Sequence, residues 1–160
     1  MKVNGEYLTY ADNGNRDVGL YVDKNEIVAG RYFEIEILSL GRSGIIALGL
    51  VPDDYPANNQ PGWKENSIGY HGDDGRLYHE RGTETQFGPT WHVGDKIGLQ
   101  TYMFLTCRDR CYHDSFTVNV VFTRNGKGVG TRTIDNVNFR LYPAIGMQSS
   151  GEKVKVILDA

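Results

Sequence analysis

Three segments of this chain alternate apolar and polar residues with a period of two. They are residues 31–38, 116–123 and 153–156. Successive side chains of a β-strand point to opposite faces, so this period is typical of strands that bury one face. No extended segment carries the 3.6-residue apolar repeat of an amphipathic helix. The alternation therefore predicts an all-β fold with little helix.

Turn-forming residues separate these segments. The chain has 20 glycines and 5 prolines among its 160 residues, which favours short strands joined by turns. Further strands are expected at residues 18–22, 45–50, 96–101 and 141–147. The Asn125-Gly126 pair predicts a two-residue hairpin, because such turns need positive φ at both central positions. Short strands without helices between them indicate an antiparallel β-sandwich.

Length and charge limit the possible classes of protein. A chain of this length is expected to form one domain, residues 1–160. Its longest apolar run, residues 45–51, is far shorter than the ~20 residues of a membrane-spanning helix. The first residues lack the basic and apolar regions of a secretion signal. The net charge of −3 disfavours a nucleic-acid partner, so we expect a cytoplasmic or nuclear domain without a membrane partner.

Two long loops are expected, at residues 51–67 and 106–115. The first contains Pro52, Pro56 and Pro61, which disfavour a continuous strand. Long ordered loops on a rigid sandwich often carry function, because the sheets hold the loop while its side chains stay free. Candidate functional residues are therefore expected mainly in these two loops.

Cys107, Cys111 and His113 lie close together in the second loop. Thiolates and imidazole bind zinc, but a structural zinc site needs four ligands and no fourth residue stands at a suitable spacing. As a catalytic pair, Cys107 and His113 would need a stabilised thiolate. Arg108 and Arg110 could stabilise it. We expect two reduced thiols and a solvent-exposed histidine, without a bound metal.

Asp73 and Asp74 form a carboxylate pair in a Gly-rich segment close to His71. A glycosidase uses two carboxyl groups about 5 to 9.5 Å apart that flank the scissile bond. Neighbouring strand residues point to opposite faces, so this pair is poorly placed for that reaction. Aspartates beside glycines usually bond to nearby backbone N–H groups. We therefore predict that both aspartates are structural residues of a turn.

Four aromatic residues lie in or beside the Gly-rich middle of the chain: Trp63, Tyr70, Tyr78 and Trp91. Large rings dominate the interiors of sandwiches, so most of these are expected in the core. Tyr78 is the expected exception. It directly follows Leu77, and if Leu77 faces inward, the pleat turns the Tyr78 ring outward.

Six sequence blocks occur in the order and at the spacing of SPRY domains. They are Pro61-Gly62-Trp63, Gly69-Tyr70-His71-Gly72-Asp73-Asp74-Gly75, Phe87-Gly88-Pro89-Thr90, Gly94-Asp95-Lys96-Ile97-Gly98, Phe122-Thr123-Arg124-Asn125-Gly126, and Leu141-Tyr142-Pro143 through Gly151-Glu152. Over about residues 17–158 the chain resembles SPRY domains, in particular those of the Ran-binding-protein-M type and of SPRY-domain-containing protein 3. The resemblance implies a bent sandwich of two antiparallel sheets without catalysis or cofactor. It also implies an adaptor or scaffold role, in which loops on one face bind a peptide segment or a partner protein.

The resemblance places this binding surface on the loop after Leu50, on the strand around Tyr78 and on the turn at residues 148–150. The expected site residues are Pro52, Asp53, Asp54, Tyr55, Arg76, Tyr78, Gln148, Ser149 and Ser150. Both turns are expected to flank the Tyr78 ring and to form a shallow site with an aromatic floor. Because Asp53 and Asp54 are expected on one side of the ring and Arg76 on the other, the ligand should have both polar and apolar groups.

Two other classes of function remain open. A carbohydrate-binding lectin could use the same sandwich, with Asp73 and Asp74 as carboxylates. Trp63 and Tyr78 would supply its aromatic rings, but no calcium site of six or more oxygens is evident. A hydrolase could use Cys107 or the aspartate pair, but it lacks a positioned base and a third orienting group. We therefore expect a non-catalytic, monomeric interaction domain.

Overall fold

The computed structural model describes residues 1–10, 17–79, 83–105 and 115–159. The strands are β1 (Lys2–Asn4), β2 (Tyr7–Thr9), β3 (Gly19–Val22), β4 (Tyr32–Leu40), β5 (Ile46–Pro52), β6 (Ile68–His71), β7 (Arg76–His79), β8 (Thr83–Gln86), β9 (Lys96–Leu105), β10 (Phe116–Arg124), β11 (Lys127–Val137), β12 (Leu141–Met147) and β13 (Glu152–Asp159). The described part of the chain contains no helix that could cross a membrane. Outside the described residues lie Cys107, Arg108, Arg110, Cys111 and His113.

These strands form two antiparallel sheets that share one core. The seven-stranded sheet has the order β1-β2-β13-β4-β9-β10-β11, and the six-stranded sheet has the order β3-β12-β5-β6-β7-β8. The predicted antiparallel β-sandwich is thereby confirmed. The predicted hairpin is confirmed as well, because Asn125 and Gly126 have φ of 53° and 80° and connect β10 to β11.

The core consists of alternate residues from the facing strands. In β4, Phe33, Ile35 and Ile37 are fully buried, whereas Glu34 and Glu36 between them are partly exposed. The alternation in the sequence thus corresponds directly to the two faces of this strand.

Aromatic rings join the two sheets. Tyr70 is fully buried and makes edge-on contacts with Phe87, Trp91 and Phe122 at centroid distances of 5.3, 5.2 and 5.8 Å. Trp91 is also buried, whereas Trp63 is half-buried. The expectation that most of these rings lie in the core is confirmed for Tyr70 and Trp91.

The outer face of the six-stranded sheet is covered by the loop between β5 and β6, residues 53–67. The strands beneath it carry buried small residues at outward positions: Ala47, Gly49, Gly69, Ala144 and Gly146. A Cβ on Gly69 would collide with the carbonyl oxygen of Pro61, and a Cβ on Gly146 with the Gln60 side chain. Residues 60–62, here called the strap, therefore lie directly on the sheet. The exposed side chains that were expected in this loop all lie outside the strap.

Candidate functional site

Tyr78 lies in β7 and points away from the core. Leu77 belongs to the buried core, and Tyr78 is half-buried on the opposite face, as the alternation predicts. β7 pairs with β6 so that Tyr78 lies opposite Gly69. A Cβ on Gly62 of the strap would collide with the backbone and the Cβ of Tyr78. The base of this side chain is therefore held between β7 and the strap.

The Tyr78 ring rests on His71, and its hydroxyl is bonded to Asp74. The centroids of the Tyr78 and His71 rings are 3.9 Å apart, with an angle of 31° between the ring planes. The Tyr78 hydroxyl donates to Oδ2 of Asp74 at 2.6 Å. These contacts fix both the position and the tilt of the ring, so the ring is already ordered before any partner binds.

His71 connects this ring to the strap. Its Nε2 lies 2.9 Å from the carbonyl oxygen of Pro61, and a carbonyl only accepts hydrogen bonds, so Nε2 carries a proton. Burial lowers the pKa of His71 to about 4, although the Pro61 carbonyl and the Asp74 carboxylate act in the opposite direction. The imidazole is therefore neutral at physiological pH and supports Tyr78 without adding charge.

Asp73 and Asp74 lie in the turn between β6 and β7, as predicted. Oδ1 of Asp74 accepts a hydrogen bond from the backbone N–H of Arg76 at 2.9 Å, and Oδ2 accepts from the Tyr78 hydroxyl. Burial and the neighbouring Asp74 carboxylate raise the pKa of Asp73, while backbone N–H groups of the turn oppose this shift. Both oxygens of Asp74 thus serve the local structure, and neither the lectin nor the glycosidase hypothesis gains support here.

The two turns expected beside Tyr78 lie at opposite ends of β5. Pro52 pairs with Leu141, whereas Ile46 pairs with Met147. Because β5 is seven residues long, about 20 Å of strand separates the turn that begins at residue 53 from the turn at residues 148–150. Tyr78 lies in the same row as Gly69 and Gly49, midway between these two ends, so the expectation that both turns flank the ring stays a prediction, with one turn toward each end. The local pattern gave no information on the register between these distant strands.

Three of the expected site residues serve the fold with their side chains. Pro52 is buried in β5. The Tyr55 hydroxyl donates to the carbonyl of Gln60 at 2.6 Å and fixes the loop ahead of the strap. Ser149 is buried, and its hydroxyl accepts from the backbone N–H of Ser43 at 3.0 Å. The other six are accessible: Asp53, Asp54, Arg76 and Ser150 are exposed, and Tyr78 and Gln148 are half-buried.

Glu152 holds the turn at residues 148–150 in place. Its carboxylate is fully buried and accepts from the backbone N–H groups of Gln148, Ser149 and Ile45 at 2.7, 2.8 and 2.5 Å. The Ser149 hydroxyl donates to the same carboxylate at 2.5 Å. Burial raises the pKa of Glu152, and these hydrogen bonds oppose the shift. Residues 148 and 149 of the turn are therefore held by three hydrogen bonds to one buried carboxylate.

Sequence reasoning assigned no supporting role to Glu152 or His71. An acidic residue after a Ser-Ser-Gly turn is ordinarily exposed, so no local signal marks Glu152 as buried. A signal was available for His71, because it follows the core residue Tyr70 and so lies on the outer face with Tyr78. Among the described residues, no group of three or more histidine, cysteine, aspartate and glutamate side chains could hold a metal ion.

Sequence comparison with known proteins identifies a SPRY domain. A sequence model of the SPRY domain matches residues 31–160. SPRY domain-containing protein 3 of Homo sapiens is 39% identical over 161 residues, which cover 99% of this chain and 34% of that protein. Ran-binding protein 9 of Homo sapiens is 37% identical over 123 residues, which cover 77% of this chain and 15% of that protein. The chain thus spans about one third of the first relative and less of the second.

Solved structures show the same architecture. The crystal structure of a human SPRY domain superimposes with a TM-score of 0.84 at 37% sequence identity, covering 99% of this chain and 95% of that one. The SPRY domain of human HERC1 superimposes with a TM-score of 0.67 at 21% identity, covering 96% and 89%. The second likeness concerns the fold alone.

Proposed function

Because the chain belongs to the SPRY domain family, we propose that it is a non-catalytic protein-interaction module. It binds a peptide segment of a partner protein on the outer face of the six-stranded sheet, with Tyr78 at the centre. Residues 1–160 act as one monomeric domain in the cytoplasm or nucleus, as the recognition part of an adaptor or scaffold. The net charge of −3 favours a protein partner over a nucleic acid.

The observation that carries this proposal is the fixed Tyr78 ring. Its contacts with His71 and Asp74 and with the strap hold it in one orientation beside the strap. An aromatic side chain that is already ordered loses little conformational entropy when a partner binds. Tyrosine is also among the residues that contribute most to protein interfaces.

The remaining accessible residues define the extent of the proposed surface. The Tyr78 hydroxyl bonds to Asp74, which follows β6 at the end where His71 pairs with Ala47. The ring therefore points toward the start of β5, where Gln148 and Ser150 follow β12. Asp53 and Asp54 lie at the other end. An extended segment of about six or seven residues spans the ~20 Å between these ends. The partner segment should therefore combine apolar contact at Tyr78 with polar groups at its ends.

The chemistry around Tyr78 favours binding over catalysis. Both carboxylate oxygens of Asp74 accept local hydrogen bonds, and Nε2 of His71 is bonded to the strap. A general acid or base needs a free proton or lone pair within reach of a substrate. These groups instead hold one another and the ring in place.

A peptide-array screen tests the proposal, with the domain applied as wild type and as two variants. Tyr78→Ala removes the ring, and Tyr102→Ala is the matched control, because Tyr102 is an exposed tyrosine of the other sheet. An interface aromatic contributes about 2 kcal/mol or more, so Tyr78→Ala should weaken the selected peptides roughly thirtyfold. Tyr102→Ala should bind them as wild type does.

The fold of each variant is monitored by circular dichroism and thermal unfolding. A Tyr78→Ala domain that remains folded and binds the same peptides with unchanged affinity would show that the binding surface lies elsewhere. Unfolding of this variant would instead show that the contacts of Tyr78 with His71 and the strap are needed for the fold. In that case Tyr78→Phe, which keeps the ring and removes only the bond to Asp74, provides the folded comparison.

A further inference from the structure

An apolar cavity of about 300 Å³ lies at the end of the sandwich where β5 finishes. Nine of its twelve lining residues are apolar. Core residues Ile27, Val118 and Leu141 are buried beneath it, while Val28 and Phe116 on its rim are 52% and 37% exposed. Soluble domains rarely leave apolar side chains exposed around an apolar cavity unless something binds there.

The wall of this cavity formed by residues 26–29 is fixed by hydrogen bonds to both sheets. The N–H of Ile27 donates to the carbonyl of Leu141 in the six-stranded sheet at 2.7 Å. The Thr101 hydroxyl of the seven-stranded sheet donates to the carbonyl of Val28 at 3.2 Å. The cavity is therefore open because the backbone around it is held at both sides.

A buried ion pair strengthens this wall. The guanidinium of Arg31 lies 2.8 Å from the carboxylate of Asp23 and also donates to the carbonyls of Asn25 and Glu26 at 2.7 and 2.9 Å. These bonds fix the course of the chain immediately before Ile27. A cavity with such a wall keeps its shape without a ligand, which lowers the entropic cost of filling it.

The size and lining of the cavity indicate what fills it. Its volume is at the lower end of the range for ligand pockets, enough for one large side chain. Apolar walls offer few partners for polar atoms, and a buried polar atom without a partner is costly. A phenylalanine, leucine or methionine side chain therefore fits best.

Charged residues at the rim indicate what flanks this side chain. Glu26 and Arg140 both line the cavity. Their side chains lie 4.0 Å apart, with Arg140 exposed and Glu26 half-buried. Leu141 pairs with Pro52, so the turn with Asp53 and Asp54 adjoins Arg140. Glu26 at the rim and the two aspartates of the adjoining turn thus supply three carboxylates against one guanidinium, and a basic residue next to the inserted side chain would complement them.

We propose that this cavity is a second binding site, separate from the Tyr78 surface, which receives one large apolar side chain from a partner segment with lysine or arginine beside it. The cavity is lined by none of the residues that contact Tyr78, and only the turn with Asp53 and Asp54 lies near both sites. Loss of the Tyr78 ring should therefore leave binding at the cavity unchanged.

Three synthetic peptides of about nine residues test this site, each with a Gly/Ser framework around a central triplet. The triplets are Lys-Phe-Lys, Glu-Phe-Glu and Lys-Ala-Lys. Each is titrated into the full chain, and the methyl resonances of Ile27, Val28 and Leu141 are followed by NMR. The Lys-Phe-Lys peptide should shift these resonances saturably. The Glu-Phe-Glu peptide should bind at least fivefold more weakly, and Lys-Ala-Lys should cause no saturable shift.

Single-residue variants then show where on the domain the Lys-Phe-Lys peptide binds. Val28→Asp introduces a charge at the rim and should weaken the Lys-Phe-Lys peptide at least tenfold. Val93→Asp is the matched control, because Val93 is also an exposed valine (62%, against 52% for Val28) and does not line the cavity. Phe116→Ala provides a second variant of the cavity. Tyr78→Ala should not change the affinity for the Lys-Phe-Lys peptide, which distinguishes the cavity from the surface of the proposed function.

Four results would overturn the proposal. The first three are equal affinity for the Lys-Phe-Lys and Glu-Phe-Glu peptides, unchanged cavity resonances at saturating peptide, and equal weakening by Val28→Asp and Val93→Asp. Loss of peptide binding in Tyr78→Ala alone would likewise place the peptide on the Tyr78 surface and exclude the cavity.

Discussion

Lowering the pH should destabilise this domain through His71. Burial lowers the pKa of His71 in the folded state to about 4, whereas an unfolded histidine has a pKa of about 6.5. Above pH 6.5 the His71 imidazole is neutral in both the folded and the unfolded state, so the protonation of His71 does not reduce stability there. Between about pH 6.5 and pH 4 only the unfolded state takes up the proton. The free energy of unfolding therefore falls as the pH is lowered through this window.

The size of the effect follows from the two pKa values. Each unit of difference corresponds to about 1.4 kcal/mol, so the fold should lose about 2 kcal/mol from this side chain between pH 7 and pH 5. The loss should reach about 3 kcal/mol by pH 4 and then level off. Such a change is a large fraction of the 5 to 15 kcal/mol by which domains are ordinarily stable.

Urea unfolding of the wild type and of His71→Gln between pH 7.5 and pH 4.5 measures this contribution. Glutamine keeps a side-chain N–H that can donate to the Pro61 carbonyl but does not titrate. The wild type should therefore lose about 2 kcal/mol more than the variant between pH 7 and pH 5. Parallel losses in the two proteins, or an NMR titration of the His71 imidazole near pH 6.5, would refute the reasoning.

Three further changes test supports of the site and of the fold, each by urea unfolding. Gly69→Ala should cost about 1 to 3 kcal/mol, because its Cβ collides with the strap. Gly128→Ala, which meets no atom within 4 Å, should be tolerated. Glu152→Gln should cost about 2 kcal/mol, because a neutral amide replaces a carboxylate that accepts four hydrogen bonds. Asn125→Ala should cost about 2 kcal/mol through its positive φ and its bonds to Lys96 and Asp95, and Asn125→Gly about half of that.

The strands that bury one face could be predicted from their alternation. The alternating residues of β4 and β10 identify these strands directly. The predicted ranges 45–50 and 141–147 also coincide with much of β5 and all of β12, although these strands are buried at nearly every position. β6 is likewise buried at every position, because the core lies on one side of it and the strap on the other. Burial on both faces removes the period of two on which the prediction depends.

The candidate site could be predicted only in its local part. The step from Leu77 to Tyr78 assigns the two residues to opposite faces, since the pleat is a property of neighbouring residues. The location of the turns relative to Tyr78 depends instead on the register of β5 with β12. That register is set by packing between segments that are far apart in the chain, so no local pattern contains it.

The position of the strap has a consequence for the order of events during synthesis. The strap lies against Gly69 and Gly62 contacts Tyr78, but Gln60 also lies against Gly146 of β12, a strand near the end of the domain. A chain still emerging from the ribosome cannot complete this layer until β12 has appeared and paired with β5. Until then the small-residue surface and the Tyr78 ring lack part of their cover. The layer beside the surface proposed to recognise a partner is thus complete only after β12 has been synthesised.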